Sequence, residues 1–129
     1  MLNYIKGIHH ISLKCDDTNK YAEAIRFYTE CLGLIVYRKW NEGILLSTGN
    51  SYIEIFCNGK GTEEKGAVRH FALATDNVDM FADRIKEAGY DVFIEPKDIV
   101  LTSEPEVRAR IAFCKGPLGE EIELFDEKI

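Results

Sequence analysis

The sequence predicts an α+β fold in which two tandem βαβββ modules form a concave, half-barrel mixed sheet with helices on its outer face. The first observation behind this prediction is an internal repeat: the opening segment 8–17 recurs at 68–77, and the alignment pairs His10 with His70. Each copy alternates apolar and polar residues, as a half-buried strand does. Each copy is also followed by a segment with apolar residues at helical spacing.

A second repeat closes each half of the chain. The pattern Tyr-Ile-Glu-Ile-Phe at 52–56 recurs as Glu-Ile-Glu-Leu-Phe at 121–125. Each half therefore opens with a histidine in a strand and closes with a glutamate in a strand. At 129 residues the chain is expected to form a single domain. Its first module is expected at 1–58 and its second at 67–129, joined by a polar, glycine-rich linker.

In the first half, the alternating pattern predicts a strand over 8–15. The side-chain oxygens of Asp16, Asp17, Thr18 and Asn19 can accept the first helical N–H groups. Apolar residues at helical spacing predict a helix over 20–32, and Gly33 is expected to end it. Three short strands follow, separated by glycine-containing hairpin turns; we expect them at 34–40, 44–48 and 51–57.

The second half repeats this order with a longer excursion in the middle. A strand is predicted over 68–75, and a helix over 78–88 that Gly89 ends. Pro96 is expected to terminate a strand at 90–94, because proline cannot donate to the sheet ladder. The stretch 97–106 is the least periodic part of the chain. The last two strands are predicted at 107–114 and 120–126.

Composition and cysteine usage limit the partners and the compartment. The net charge of −6 argues against a nucleic-acid or anionic-membrane partner, since those require a clustered basic surface. No apolar stretch approaches the length of a membrane span. The four cysteines are scattered without a CxxC pair, and no signal peptide precedes the first strand. We therefore expect reduced thiols and a cytoplasmic location.

Strand alternation assigns the repeated polar residues to one side of the sheet. Ile11 and Leu13 point away from His10, and Ile53 and Ile55 point away from Glu54. The second half repeats this arrangement around its own histidine and glutamate. Because the helices are expected to cover the apolar faces, the concave side should carry four polar side chains: His10, Glu54, His70 and Glu123.

A histidine or glutamate in a strand usually belongs to the core or to a solvated face, and His9, opposite His10, is assigned no function. Equivalent positions in a repeat instead favour a shared metal site. Two imidazoles and two carboxylates form a mixed nitrogen and oxygen shell for a borderline divalent metal. An octahedral shell with four protein ligands leaves two adjacent positions, which suit a substrate with two neighbouring oxygens.

Four patterns resemble those of the vicinal oxygen chelate superfamily: His-His-Ile-Ser-Leu, Tyr-Ile-Glu-Ile-Phe, Arg-His-Phe-Ala-Leu and Glu-Ile-Glu-Leu-Phe. The resemblance covers essentially the whole chain. It implies one divalent transition metal per site (nickel, cobalt, zinc or manganese), held by His10, Glu54, His70 and Glu123. This set is most similar to that of glyoxalase I, or lactoylglutathione lyase. The dioxygenases use three ligands, related epimerases typically place Gln at the position of Glu54, and bleomycin-binding members lack the ligands.

The resemblance to glyoxalase I implies a metal-dependent lyase or isomerase. Such an enzyme converts the hemithioacetal of methylglyoxal and glutathione, or a similar thiol, to S-lactoylglutathione through an enediolate. Glu123 is implied as the catalytic base, with Glu54 as a second catalytic carboxylate. Asn58, four residues after Glu54, matches a family contact to glutathione. Lys14 stands where the similar bacterial enzymes place an arginine, and it lacks the bidentate fork; both residues are expected to bind substrate.

Two alternatives remain open at this stage. The chain could be another metalloenzyme of the superfamily, an epimerase or a transferase that adds a thiol to an epoxide. It could also be a non-catalytic module that binds a small ligand. If the chain is an enzyme, we expect a small-molecule substrate. We also expect a homodimer, because symmetric dimers are the commonest assembly. In the superfamily the site forms either within one chain or across a dimer.

Overall fold

A computed structural model of the chain describes residues 8–15, 17–59, 69–103 and 105–128. The chain forms two compact units, Met1–Thr62 and Glu63–Ile129. Each unit contains one four-stranded mixed sheet and one helical region. The predicted α+β class and the tandem βαβββ architecture are therefore confirmed. Beyond Gly59, the predicted linker lies outside the described residues.

The first unit has the strand order β1-β4-β3-β2, with β1 parallel to β4 and the other neighbours antiparallel. The parallel pair places Ser12 opposite Glu54. Its elements in chain order are β1 (His10–Lys14), α1 (Thr18–Arg26), a π-helical segment (Phe27–Cys31), β2 (Ile35–Trp40), β3 (Gly43–Ser47) and β4 (Tyr52–Phe56).

The first helix begins at a side-chain cap and ends in a widened turn. Asp17 Oδ1 accepts the backbone N–H groups of Asn19 at 2.7 Å and Lys20 at 3.2 Å, which satisfies donors that have no partner inside the helix. The last turn is π-helical, and the Leu32 N–H donates to the Phe27 carbonyl at 3.1 Å. Gly33 follows with a φ of +80°, so the prediction that it ends the helical region is confirmed.

Alternate residues of the sheet form the core beneath this helix. Ile53 and Ile55 of β4 are 2% and 0% exposed, and Ala24 and Tyr28 on the helical region are fully buried. Helix α1 contacts β4 directly. Burial of these apolar faces fixes the register of the strands, because a one-residue slip would expose all of them. The opposite face of β1 and β4 therefore carries His10 and Glu54.

The second unit repeats the arrangement with the order β5-β8-β7-β6 and a parallel β5–β8 pair. Asn77 caps its helix by accepting the Met80 N–H at 3.2 Å, and Gly89 follows the helix with a φ of +91°. Its elements are β5 (Phe71–Ala74), α2 (Val78–Glu87), β6 (Val92–Leu101), β7 (Val107–Lys115) and β8 (Glu121–Lys128).

The prediction that Pro96 terminates a strand is wrong. Strand β6 continues through it to Leu101, which pairs with Val107, and the pairing shifts in register between Ile94 and Lys97. Because of this irregularity, Pro96 is not part of the regular hydrogen-bond ladder. Strand β6 is also an edge strand of its sheet. A missing N–H group is tolerated at such positions. Part of the aperiodic stretch 97–106 is therefore strand.

Arg110 of β7 connects the second helix to its sheet. Its guanidinium donates to both carboxylate oxygens of Asp79 on α2, at 2.7 and 2.8 Å, and lies 3.2 Å from Asp98 of β6. This bidentate pair lowers the pKa of the Asp79 carboxyl below its usual value. None of the described helices is long and apolar enough to cross a membrane.

Candidate functional site

The first predicted histidine and glutamate lie together in the first unit. His10 is the first residue of β1, and Glu54 is the central residue of β4. Because the strands are parallel and Ser12 is opposite Glu54, both side chains leave the same face of the sheet. His10 Nε2 lies 3.6 Å from Glu54 Oε1. The glutamate side chain is 14% exposed and the histidine 42%, so the carboxylate is the more enclosed partner.

The second unit contains the same pair at the equivalent positions. His70 immediately precedes β5, and Glu123 of β8 is opposite Ala72. His70 Nε2 lies 3.3 Å from Glu123 Oε1, with exposed side-chain fractions of 32% and 13%. Distance, atom pair and order of burial all match those of the first unit. The repeat in the sequence is therefore also a repeat of side-chain geometry.

His9 takes part in the first pair, which the sequence did not predict. Its Nδ1 lies 3.0 Å from Nδ1 of His10, and the two rings meet edge to face with centroids 5.2 Å apart. The other ring nitrogen of His10, Nε2, faces Glu54. His9 is therefore a neighbour of the first pair, and the assignment of no function to it stays a prediction.

Aromatic side chains line the surroundings of both pairs. In the first unit the Tyr52 ring contacts His9 at 5.1 Å and Tyr37 at 5.0 Å between centroids. In the second, His70 meets Phe113 edge to face at 5.2 Å, and Phe113 contacts Phe93 at 5.8 Å. Aromatic rings therefore lie beside both pairs, against His9 in the first unit and against His70 in the second.

The two predicted substrate-binding residues lie at the far end of the β1–β4 pair. Lys14 is exposed and, by strand alternation, shares the face of His10. Gly59 passes so close to the Lys14 side chain that an added Cβ would collide with it. Asn58 is exposed but lies in a bend beyond β4, which ends at Phe56. Strand alternation therefore does not fix its direction.

Each unit assembles two of the four predicted metal ligands, a nitrogen and an oxygen donor facing each other. Within the described ranges, no group of three or more His, Cys, Asp or Glu side chains is arranged to hold a metal ion. The donor chemistry of each pair nevertheless fits one half of a mixed nitrogen and oxygen shell. All four cysteines lie in the described ranges and carry thiols; Cys57 is half-buried and the other three are buried.

Comparison with known proteins gives the family. Residues 7–124 match the Glyoxalase/Bleomycin resistance protein/Dioxygenase superfamily. No curated protein matches the chain significantly. The match spans both units and includes all four histidine and glutamate positions.

Several solved structures have the same fold. A glyoxalase family protein from Bacillus anthracis is 26% identical, with a TM-score of 0.72, and the alignment covers 99% of this chain and 100% of that one. TnmS3, an antibiotic binding protein from a Streptomyces species, is 21% identical, with a TM-score of 0.74 and coverage of 98% and 100%.

A glyoxalase I variant from Zea mays is also similar. It is 26% identical with a TM-score of 0.70, and the alignment covers 92% of this chain and 43% of that one. Proteins of the superfamily commonly bind a metal ion and act on or bind small molecules. The duplicated units and the residues matched show that this chain belongs to the Glyoxalase/Bleomycin resistance protein/Dioxygenase superfamily.

Proposed function

We propose that the protein is a metal-dependent lyase of the glyoxalase I type. It would convert the hemithioacetal of methylglyoxal and glutathione, or a similar thiol, to S-lactoylglutathione. The observation that carries the proposal is the duplicated His–Glu pair, at 3.6 Å in one unit and 3.3 Å in the other. A module that only sequesters a ligand does not require two equivalent pairs of metal-binding side chains.

In this proposal His10, Glu54, His70 and Glu123 together hold one divalent transition metal: nickel, cobalt, zinc or manganese. The donor set supports this, since imidazole nitrogens and carboxylate oxygens suit borderline divalent ions and no thiolate takes part. When bound, the metal supplies a Lewis acid for two neighbouring substrate oxygens. The four residues come from one chain or from two chains of a homodimer.

Glu123 moves the proton in this proposal. Its carboxylate would accept the proton from one carbon of the hemithioacetal and return it to the neighbouring carbon. Only 13% of its side chain is exposed, which favours direct transfer over exchange with solvent. Glu54 stands in the equivalent place of the first unit and provides a second carboxylate.

Lys14 and Asn58 bind the thiol part of the substrate in this proposal. Lys14 shares the His10 face of β1 and offers a positive charge to a glutathione carboxylate. We expect Lys14→Ala and Asn58→Ala to raise KM severalfold and leave kcat largely intact, because neither residue takes part in proton transfer. Steady-state kinetics test this, with Lys20→Ala on the exposed face of α1 as the control. A loss confined to kcat would contradict the assignment.

A small-ligand-binding module is the second candidate. The aromatic contacts of Tyr37 and Tyr52 favour it, since aromatic side chains commonly line sites for small molecules. A solved structure of similar fold is described as an antibiotic binding protein, although at 21% identity the likeness supports only the fold.

One experiment separates the candidates. Protein stripped of metal is reloaded with nickel, cobalt, zinc or manganese, and S-lactoylglutathione formation is measured with methylglyoxal and glutathione. The proposal predicts turnover that depends on the added metal. Turnover of an epoxide with a thiol, or epimerisation of another substrate, would support the metal site but assign it a different substrate. Ligand binding without turnover in the presence of any of these metals would favour the binding module.

Light scattering tests the homodimer.

A further inference from the structure

We propose that Cys15 and Cys57 are a redox-active dithiol that forms a reversible disulfide between the ends of β1 and β4. Nothing in the proposed chemistry uses these thiols. The pair lies within the first unit alone, since Thr75 and Asp126 stand at the equivalent places of the second. The disulfide does not depend on the proposed function.

The strand register brings the two cysteines side by side. The last registered pair of the parallel ladder is Lys14 with Phe56, and the next step is Cys15 with Cys57. The ladder continues that far, because the Cys15 N–H donates to the Phe56 carbonyl at 2.9 Å. Adjacent strands are about 4.8 Å apart, and disulfides join Cα atoms about 4.4–6.8 Å apart.

Each cysteine follows its strand by one residue and occupies the next position in the apolar series of that strand. Cys15 follows Ile11 and Leu13, and Cys57 follows Ile53 and Ile55, at every second position. Tyr21 of α1 gives an independent indication of where the thiols lie. Burial raises the pKa of the Tyr21 phenol, and the neighbouring thiols of Cys57 and Cys15 raise it further. Both thiols therefore act electrostatically on the same phenol.

The two thiols differ in access, which sets the order of the reaction. Cys57 is half-buried and its Sγ lies 3.8 Å from the Asn41 carbonyl, whereas Cys15 is fully buried with its Sγ 3.4 Å from the Phe56 carbonyl. Formation of the disulfide requires the Cys57 sulfur to turn away from the Asn41 carbonyl and towards Cys15. Cys57 then reacts first with the oxidant, and Cys15 resolves the product.

The reaction needs a peroxide as oxidant and a small-molecule thiol as reductant. Hydrogen peroxide converts the Cys57 thiol to a sulfenic acid and releases one water. The Cys15 sulfur then attacks the Cys57 sulfur, and a second water leaves as the disulfide forms. The two thiols together lose two electrons, and the peroxide accepts them. Two molecules of a small-molecule thiol reverse the step and become its disulfide.

The disulfide would act next to two residues of the proposed substrate site. Lys14 precedes Cys15 and Asn58 follows Cys57. The disulfide would therefore constrain the backbone next to both residues. This consequence rests on the proposed function, and the test below addresses only the disulfide.

The test is peptide mapping of the native protein after hydrogen peroxide treatment, without reduction. We expect one intramolecular cross-link, between the Cys15 and Cys57 peptides, which dithiothreitol removes. Cys31→Ser and Cys114→Ser should keep the cross-link, and Cys57→Ser should abolish it. In Cys15→Ser, Cys57 should persist as a sulfenic acid that dimedone traps.

Circular dichroism identifies any variant that fails to fold, and the wild-type map decides the question without the variants. Cross-links between other cysteines, cross-links only between molecules, or a Cys57 thiol that still reacts with iodoacetamide after peroxide treatment would overturn the proposal.

Discussion

The carboxylates of Glu54 and Glu123 are the best-enclosed polar groups of the candidate site. Their side chains are 14% and 13% exposed, and each faces the Nε2 atom of a histidine. Burying a carboxylate is costly unless a cation or a hydrogen-bond donor compensates it. In the proposed function, a bound divalent metal would supply that compensation at both positions.

Glu123→Gln separates metal binding from proton transfer. The amide keeps an oxygen donor for the metal and loses the proton acceptor. We expect metal content to fall modestly and turnover to fall at least ~10²–10⁴-fold, the effect typical of a lost general base. Metal content and turnover are measured on the same preparation, with Glu54→Gln as the matched variant. A fully metallated Glu123→Gln protein with near-normal turnover would move the role to Glu54.

At the scale of elements, each helix is stabilised by a side-chain cap at its N-terminus and by packing against one sheet. Asp17 caps α1 through two backbone N–H groups, and Asn77 caps α2 through one. Arg110 adds a bidentate ion pair that joins α2 to β7. The caps stabilise the helix N-termini, and the ion pair holds α2 against its sheet.

Asp17→Ala should destabilise the first unit. It removes the acceptor for the N–H groups of Asn19 and Lys20, and loss of such a cap typically costs about 1 kcal/mol. Urea unfolding followed by circular dichroism measures the change. Asp17→Asn is the control, because an asparagine caps nearly as well. Equal stability of the alanine and asparagine variants would contradict the role of the cap.

Asp79→Asn should lower the free energy of unfolding in a manner that depends on pH. Arg110 depresses the pKa of the folded-state carboxyl below the usual 3.8. The pair therefore stabilises the fold above pH 3.8, and this contribution is lost as the pH falls through the lowered value. Wild type and variant should thus differ at neutral pH and converge in acid. Asp83→Asn on the same helix is the control; a difference independent of pH would contradict the ion pair.

At the scale of the whole molecule, the internal repeat made the fold predictable. The two copies predict the order of helix and strands along each half, and strand alternation predicts that His10 shares a face with Glu54 and His70 with Glu123. The prediction at Pro96 was wrong because a register shift in an edge strand leaves no sequence pattern. The π-helical turn was missed because its apolar residues keep nearly helical spacing. The contact between His9 and His10 was not predicted, because His9 precedes β1, where strand alternation no longer fixes its direction.

In the proposed function, the two His–Glu pairs bind one metal. The most direct test is the metal content per chain of wild type, His10→Ala and His70→Ala, with thermal unfolding to confirm that each variant is folded. We expect close to one divalent transition metal per wild-type chain. Substitution of either histidine should remove most of that metal and the activity with it. A wild type that binds no divalent metal, or two metals of which each substitution removes one, would contradict it.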